Sequence, residues 1–231
     1  MPYSDQKKGM LLAFTAIMFI TPDSLFIRLA NLSSWNLIFY RGFIPFFVVL
    51  VGLLIIYKTK FISQLIENGW HGIAYAGVFT ITNIFFVISI ENTNVANTLI
   101  MIALAPMLSA VISFIFLKEN TDQKTWFAII ITTLAVIYIF NDSFERGDVL
   151  GNFLGLVCAT GLAVGAVIIR SAKKISLVPS AMMGKLMVTL IALLFADNLV
   201  LKGNDSIIIP LMCIMCVAIP FVLITLAPRF I

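Results

Sequence analysis

Residues 9–28 read GMLLAFTAIMFITPDSLFIR. The run is apolar and long enough to cross a bilayer, and Pro22-Asp23 breaks it near one end. Residues 151–170 read GNFLGLVCATGLAVGAVIIR and repeat its frame. Each run opens on glycine and closes on Ile-Arg, and Arg28 stands 19 positions after Gly9 as Arg170 does after Gly151. Leu12 matches Leu154, and Ala30 matches Ala172. The next runs agree: Trp35 precedes Arg41 by six residues, and Pro179 precedes Lys185 by six. The pattern predicts one membrane unit written twice.

The whole chain supports that class. Its 231 residues are 61% apolar and 11% charged, with a mean hydropathy of +1.08. A soluble domain holds about 45–50% apolar and about 25% charged residues. Backbone polar groups in lipid must be satisfied internally, so spans are helices or a closed barrel. The apolar runs are continuous rather than alternating, which excludes the barrel. An all-α polytopic membrane protein follows. Eight spans are expected, near Gly9–Leu29, Trp35–Tyr57, Trp70–Ile90, Asn94–Leu117, Lys124–Phe140, Gly151–Ile169, Pro179–Leu201 and Ile207–Leu226. Trp35, Trp70 and Trp126 fall at or beside span starts, where an interfacial belt wants them.

The bases give the orientation. With a cytoplasmic N-terminus, ten lie inside, among them Lys7, Lys8, Lys58 and Lys118, against Arg28, Arg146 and Lys202 outside. That is a positive-inside bias, and it reads the net charge of +4 as topology rather than as a nucleic-acid footprint. Five spans separate the two copies, so the second is inverted. Residues 1–141 form a first repeat of five helices. Residues 142–231 form a second repeat of three helices and the start of a fourth at Ala227. The fourth span of a complete second copy would begin beyond Ile231, so that repeat is expected to be incomplete.

Several stretches together resemble the drug/metabolite transporter superfamily in its EamA-type branch. They are Thr21-Pro-Asp-Ser-Leu25 with Arg28, Trp35-Asn-Leu-Ile-Phe-Tyr-Arg-Gly42, and Ala96-Asn-Thr-Leu-Ile100 with Ala105-Pro106. Phe116-Leu-Lys-Glu119, Asp148 to Gly151 and Leu226-Ala-Pro-Arg229 complete the set. The resemblance implies inverted five-helix repeats with both ends cytoplasmic, and a central cavity through which small metabolites move, often outward. It leads to the expectation of a secondary transporter in the cell membrane, an inner membrane. Such a protein exports amino acids or related polar compounds by alternating access. The alternative is a non-transporting membrane subunit or an inactive fragment of such a transporter.

Charge inside a membrane costs about 2.5–3.5 kcal/mol per group on insertion scales, so Asp23 and Arg41 come first as substrate-binding candidates. Helical rise puts both about 10 Å below the outer surface on neighbouring antiparallel spans. They are expected to pair or to face one cavity. Otherwise Arg41 snorkels and Asp23 caps a helix restarted after Pro22. Asn83 lies at a similar depth. Asn94, Asn97, Thr98 and Met101 share a helical stripe. With Asn83, the polar members of that stripe would line an outer vestibule, unless they only bond helices together. Lys185 has Gly165 opposite it where the first repeat has Asp23, and is expected to snorkel about 9 Å to the inner surface. Gly151, Gly155, Ala159 and Ala163 recur every four residues and predict close helix packing. Pro22, Pro45, Pro106 and Pro220 predict kinks within spans.

Enzymatic chemistry finds little footing. His71 is the one histidine, too few for an HExxH pair, and no nucleophile–base set lies in the spans. Cys213-Ile-Met-Cys216 and Cys158 read as small buried side chains. No GxxxxGK[ST] loop is present, so ATP is not a direct fuel. No catalytic residue, metal or cofactor is expected. The partners are a lipid bilayer and a small solute, with no nucleic acid, and a homodimer stays open.

Overall fold

The computed structural model describes residues 3–57, 60–118, 122–146, 148–172 and 175–226. It is 85% helical with no strand among these residues, as continuous apolar runs require. The expected span start at Ala227, and Lys58 with Glu119, lie outside the described residues.

The first apolar run forms α1 (Tyr3–Ile20) and α2 (Asp23–Leu29), separated at Thr21-Pro22. Pro22 has no N–H to continue the ladder, so the helix restarts with Asp23 at its first position. Then come α3 (Ser34–Tyr57), α4 (Lys60–Glu67) and α5 (Gly69–Asn92). The fourth run is split into α6 (Val95–Ile102) and α7 (Ala105–Phe116), with Pro106 in the first turn of α7. Next are α8 (Gln123–Arg146), α9 (Val149–Ser171) and α10 (Val178–Leu193). The last run is α11 (Asp205–Met212), a π-helical stretch Cys213–Ala218, and α12 (Ile219–Leu226).

Among the described residues six helical stretches are long and apolar enough to span: Lys7–Leu29, Ser34–Ile55, Gly69–Asn92, Val95–Phe116, Val149–Ser171 and Asp205–Ile224. Gln123–Tyr138 and Val178–Leu193 are apolar but shorter. The seventh expected span, Pro179–Leu201, is corrected here, because its helix stops at Leu193. The chain then runs irregularly to Asn204. Its carbonyls find side chains of α3 instead of a helical ladder. Asn36 Nδ2 donates to the Asn198 carbonyl at 2.7 Å, the Tyr40 hydroxyl donates to the Leu199 carbonyl, and Trp35 stacks on Phe195. Irregular backbone survives near lipid only where protein satisfies it in this way.

Kinks follow the prolines unevenly. Pro45 is accommodated within α3. Pro220 would clash with the carbonyl four residues back, at Cys216. The turn there is widened into the π-helical stretch, a common response to such a clash.

The chain divides into two compact units. One comprises Met1–Thr80 and Ala172–Ile231, the other Ile81–Ser171. The division falls inside α5. In the first unit α10 packs most extensively on α3, and α1 lies along α12. Glycines set the closeness. A methyl group at Gly42 would meet Thr189 Oγ1 at 2.5 Å, and one at Gly184 would meet the Ala76 carbonyl at 3.0 Å. In the second unit α9 receives α6, α7 and α8. The four-residue stripe provides the contact, as its spacing predicts. Gly155 lies against Ser89 and Met101, while Ala159 joins Met101 and Leu104 in a buried cluster.

Candidate functional site

Asp23 and Arg41 form a buried two-point ion pair in the first unit. Arg41 Nη1 donates to Asp23 Oδ1 at 2.5 Å, and Nη2 donates to Oδ2 at 2.9 Å. The residues are 4% and 5% exposed, so Arg41 does not snorkel. Asp23 sits in the first turn of α2, where orphan N–H groups and the helix dipole favour a negative charge. Nη1 also approaches Met212 Sδ at 3.8 Å, which brings the end of α11 to the pair. Cys213 Sγ donates to the Tyr40 carbonyl at 3.4 Å on the same turn of α3.

Lys185 corrects the sequence reading. It is 1% exposed and does not reach a surface. Its Nζ lies over the Phe79 ring, 4.9 Å from the centroid. The reason is the surroundings of α10. Ser180, Ala181, Met182, Gly184, Lys185, Val188 and Thr189 are all buried, so this helix is covered on nearly every side. Gly42 and Gly184 bring α3 and α5 against it too closely for a four-carbon stem to escape between them. Lys185 therefore stays inside, where Arg41 and Asp23 act on it electrostatically. Phe79 in turn packs on Phe221 and Tyr75, at centroid distances of 4.9 and 6.0 Å.

The remaining candidates lie in the second unit. Thr98 is fully buried, and its hydroxyl is 2.8 Å from Ser89 Oγ. Ser89 donates onward to the Gly151 carbonyl at 2.7 Å. Asn94 caps α6, with its side chain accepting from the Ala96 N–H at 3.1 Å. Asn97 Nδ2 reaches Thr93 Oγ1 at 3.3 Å, and Thr93 donates to Asn152 Oδ1 at 2.9 Å. Asn97 and Asn83 are half-buried. This group ties α5, α6 and α9 together by hydrogen bonds.

The profile of the EamA-like transporter family matches residues 7–141, more than half of the sequence. The chain belongs to the EamA-like transporter family. No curated protein matches it. Among solved structures, one titled "Crystal structure of protein" superposes with a TM-score of 0.70, at 16% identity, covering 97% of this chain and 80% of that one. That likeness concerns the fold. Membership suggests a multi-pass membrane transporter of the drug/metabolite type. Family members are transporters rather than enzymes.

Within this EamA-like chain, sequence reasoning brought Asp23 and Arg41 together and missed Lys185 as their neighbour. A signal was present in the small residues around it, Ser180, Ala181 and Gly184. Such residues mark a helix packed on several sides, where a base cannot snorkel. Asn152, which accepts from Thr93, was also missed. It directly follows Gly151, beside the stripe already read as a packing face.

Proposed function

We propose that the chain is a secondary transporter that moves a small polar metabolite outward by alternating access. The ion pair Asp23–Arg41 and Lys185 form its solute-binding group. One observation carries this reading: three ionisable side chains are gathered and buried inside apolar helices of a single compact unit. Each is costly to place there, and intramembrane ionisable groups mark solute and ion pathways by default. An inert scaffold would fill the same volume with apolar residues at no loss of stability. Residues 1–141 and 142–231 serve as the two inverted repeats, with the N-terminus in the cytoplasm. Within the second unit, Asn83 and Asn97 offer half-buried polar side chains to a solute. Thr98 and Asn94 hold the helices that carry them.

The test is counterflow. Purified protein in liposomes is preloaded with extract metabolites that accumulate in cells lacking the gene, and exchange of each labelled compound is followed. Saturable exchange that disappears in Arg41→Gln supports the proposal. No exchange of any compound by protein that is folded and monodisperse would leave the non-transporting subunit as the better reading.

A further inference from the structure

We infer that α4 lies along the membrane surface and docks its exposed apolar side into the boundary between phospholipid headgroups and acyl chains. The inference stands apart from the transport reading and does not need it.

Length and place come first. The helix joins two stretches long and apolar enough to span, Ser34–Ile55 and Gly69–Asn92. At 1.5 Å per residue its eight residues extend about 12 Å, far short of the roughly 30 Å hydrocarbon core. It therefore belongs to one face of the bilayer, where α3 leaves and α5 enters. Gly69 marks the turn. Its φ of +47° is left-handed backbone that suits glycine, and it closes α4 before α5 begins.

Around its axis α4 has three sides. At about 100° per residue, Gln64, Leu65 and the following Asn68 share the first. Gln64 and Leu65 are half-buried, and Asn68 is buried. This side meets the protein, for α3 and α10 pack on α4. Asn68 Nδ2 donates to the Ser176 carbonyl at 2.9 Å and to Ser180 Oγ at 2.8 Å, at the start of α10. Ile62 and Ile66, one turn apart, form the second side and are 52% and 74% exposed. Ser63 and Glu67 form the third. Both are exposed, and the Ser63 hydroxyl donates to Glu67 Oε1 at 3.1 Å. Protein, an apolar strip and a polar strip thus follow one another around a single short helix.

One environment satisfies both free sides. Water alone leaves the isoleucines unburied, and lipid alone strands the Glu67 carboxylate. The interface offers both, and an amphipathic helix there seats its apolar face about 5–10 Å into the headgroup–acyl boundary. The apolar surface continues on α5, where Trp70 and Ile73 are 76% and 67% exposed. Tryptophan favours that same boundary. A protein partner fits less well. A stable interface buries about 1,200–2,000 Å² in all, and α4 offers a strip one side chain wide. Through Asn68, the docked helix anchors the start of α10 to the bilayer surface.

Nitroxide labels test this in the full chain. Ile62→Cys, Ser63→Cys, Ile66→Cys and Glu67→Cys are labelled one at a time in phosphatidylcholine nanodiscs, whose two faces are open to reagents. The native thiols are buried and add little background. Collisions with oxygen, which concentrates in lipid, are compared with collisions with a water-soluble nickel chelate. Oxygen should dominate at positions 62 and 66, and nickel at 63 and 67. A helix lying in the plane also holds 62 and 66 at one depth, whereas one along the membrane normal separates them by about 6 Å. A second readout uses the unsubstituted protein and decides the matter where a labelled variant fails size-exclusion. Phosphatidylcholine with a diazirine close to its headgroup should leave adducts on α4 and Trp70 in peptide mass spectrometry. Nickel dominating at 62 and 66 puts that side in water, and neither reagent reaching them shows a protein cover. Either result overturns the inference. So does a depth difference of about 6 Å, or an α4 without lipid adducts beside labelled spans.

Discussion

Arg41 holds Asp23 by two hydrogen bonds, 2.5 and 2.9 Å long, with both residues almost wholly buried. Removing one partner leaves the other as an uncompensated buried charge, at a cost of about 3–5 kcal/mol. Asp23→Leu and Arg41→Met are each expected to lose stability on that scale in thermal unfolding of the detergent-solubilised protein. The double variant should recover most of it, because neither charge is then stranded. Counterflow should stay abolished in all three. Losses that simply add in the double variant would mean that the pair is not a unit.

Gly42 provides a packing test separate from charge. A methyl group there would lie 2.5 Å from Thr189 Oγ1 and 2.9 Å from the Thr189 nitrogen, whereas one at Gly52, also on α3, meets nothing within 4 Å. Gly42→Ala should therefore cost about 1–3 kcal/mol by forcing α3 and α10 apart. Gly52→Ala should be neutral or slightly stabilising, since alanine is the better helix former by about 0.5–1 kcal/mol. Equal effects at the two positions in the same unfolding measurement would show that α10 does not pack as described.

Some of this was legible in the sequence for simple reasons. Hydropathy finds apolar runs, and rise per residue converts position into depth, which brought Asp23 and Arg41 to one level. The four-residue stripe from Gly151 gave the packing face of α9. Other features depend on contacts that no single segment carries. The end of α10 at Leu193 is stabilised by Asn36 and Tyr40, more than a hundred residues earlier. The burial of Lys185 needs α3 and α5 around it, and depth arithmetic on one helix assumes an open side. Pro220 announced a disturbance, but whether a helix answers with a kink or a widened turn is settled by its neighbours.

The widened turn leads to a thiol prediction. Cys158, Cys213 and Cys216 are all buried, so none should react with a small maleimide in the resting protein. Cys213 lies in the π-helical stretch between Pro210 and Pro220, against Tyr40. Cys158 lies in α9 and donates to the Thr82 carbonyl at 3.6 Å. If the last helices move during turnover, Cys213 becomes reactive when transported solute is present and Cys158 does not. Peptide mass spectrometry after timed labelling reads this directly. Equal protection of both thiols during turnover would place the motion elsewhere.

Orientation is the last prediction. Lys118 follows four expected spans and Lys202 follows seven, so the two lie on opposite faces when every expected span crosses. The positive-inside bias assigns Lys118 to the cytoplasm and Lys202 to the outside. Both side chains are exposed, and the native thiols are buried, so single cysteines at these positions report with little background. Lys202→Cys should react with a membrane-impermeant maleimide in intact cells, and Lys118→Cys only after permeabilisation. The short helix Val178–Leu193 gives this test its force. At 1.5 Å per residue it is only about 24 Å long, less than the roughly 30 Å hydrocarbon core. It crosses only if the irregular segment held by Asn36 and Tyr40 completes the passage. Labelling of both cysteines from the same side would show that one of the three expected spans between them does not cross, the two short helices Gln123–Tyr138 and Val178–Leu193 being the first to check.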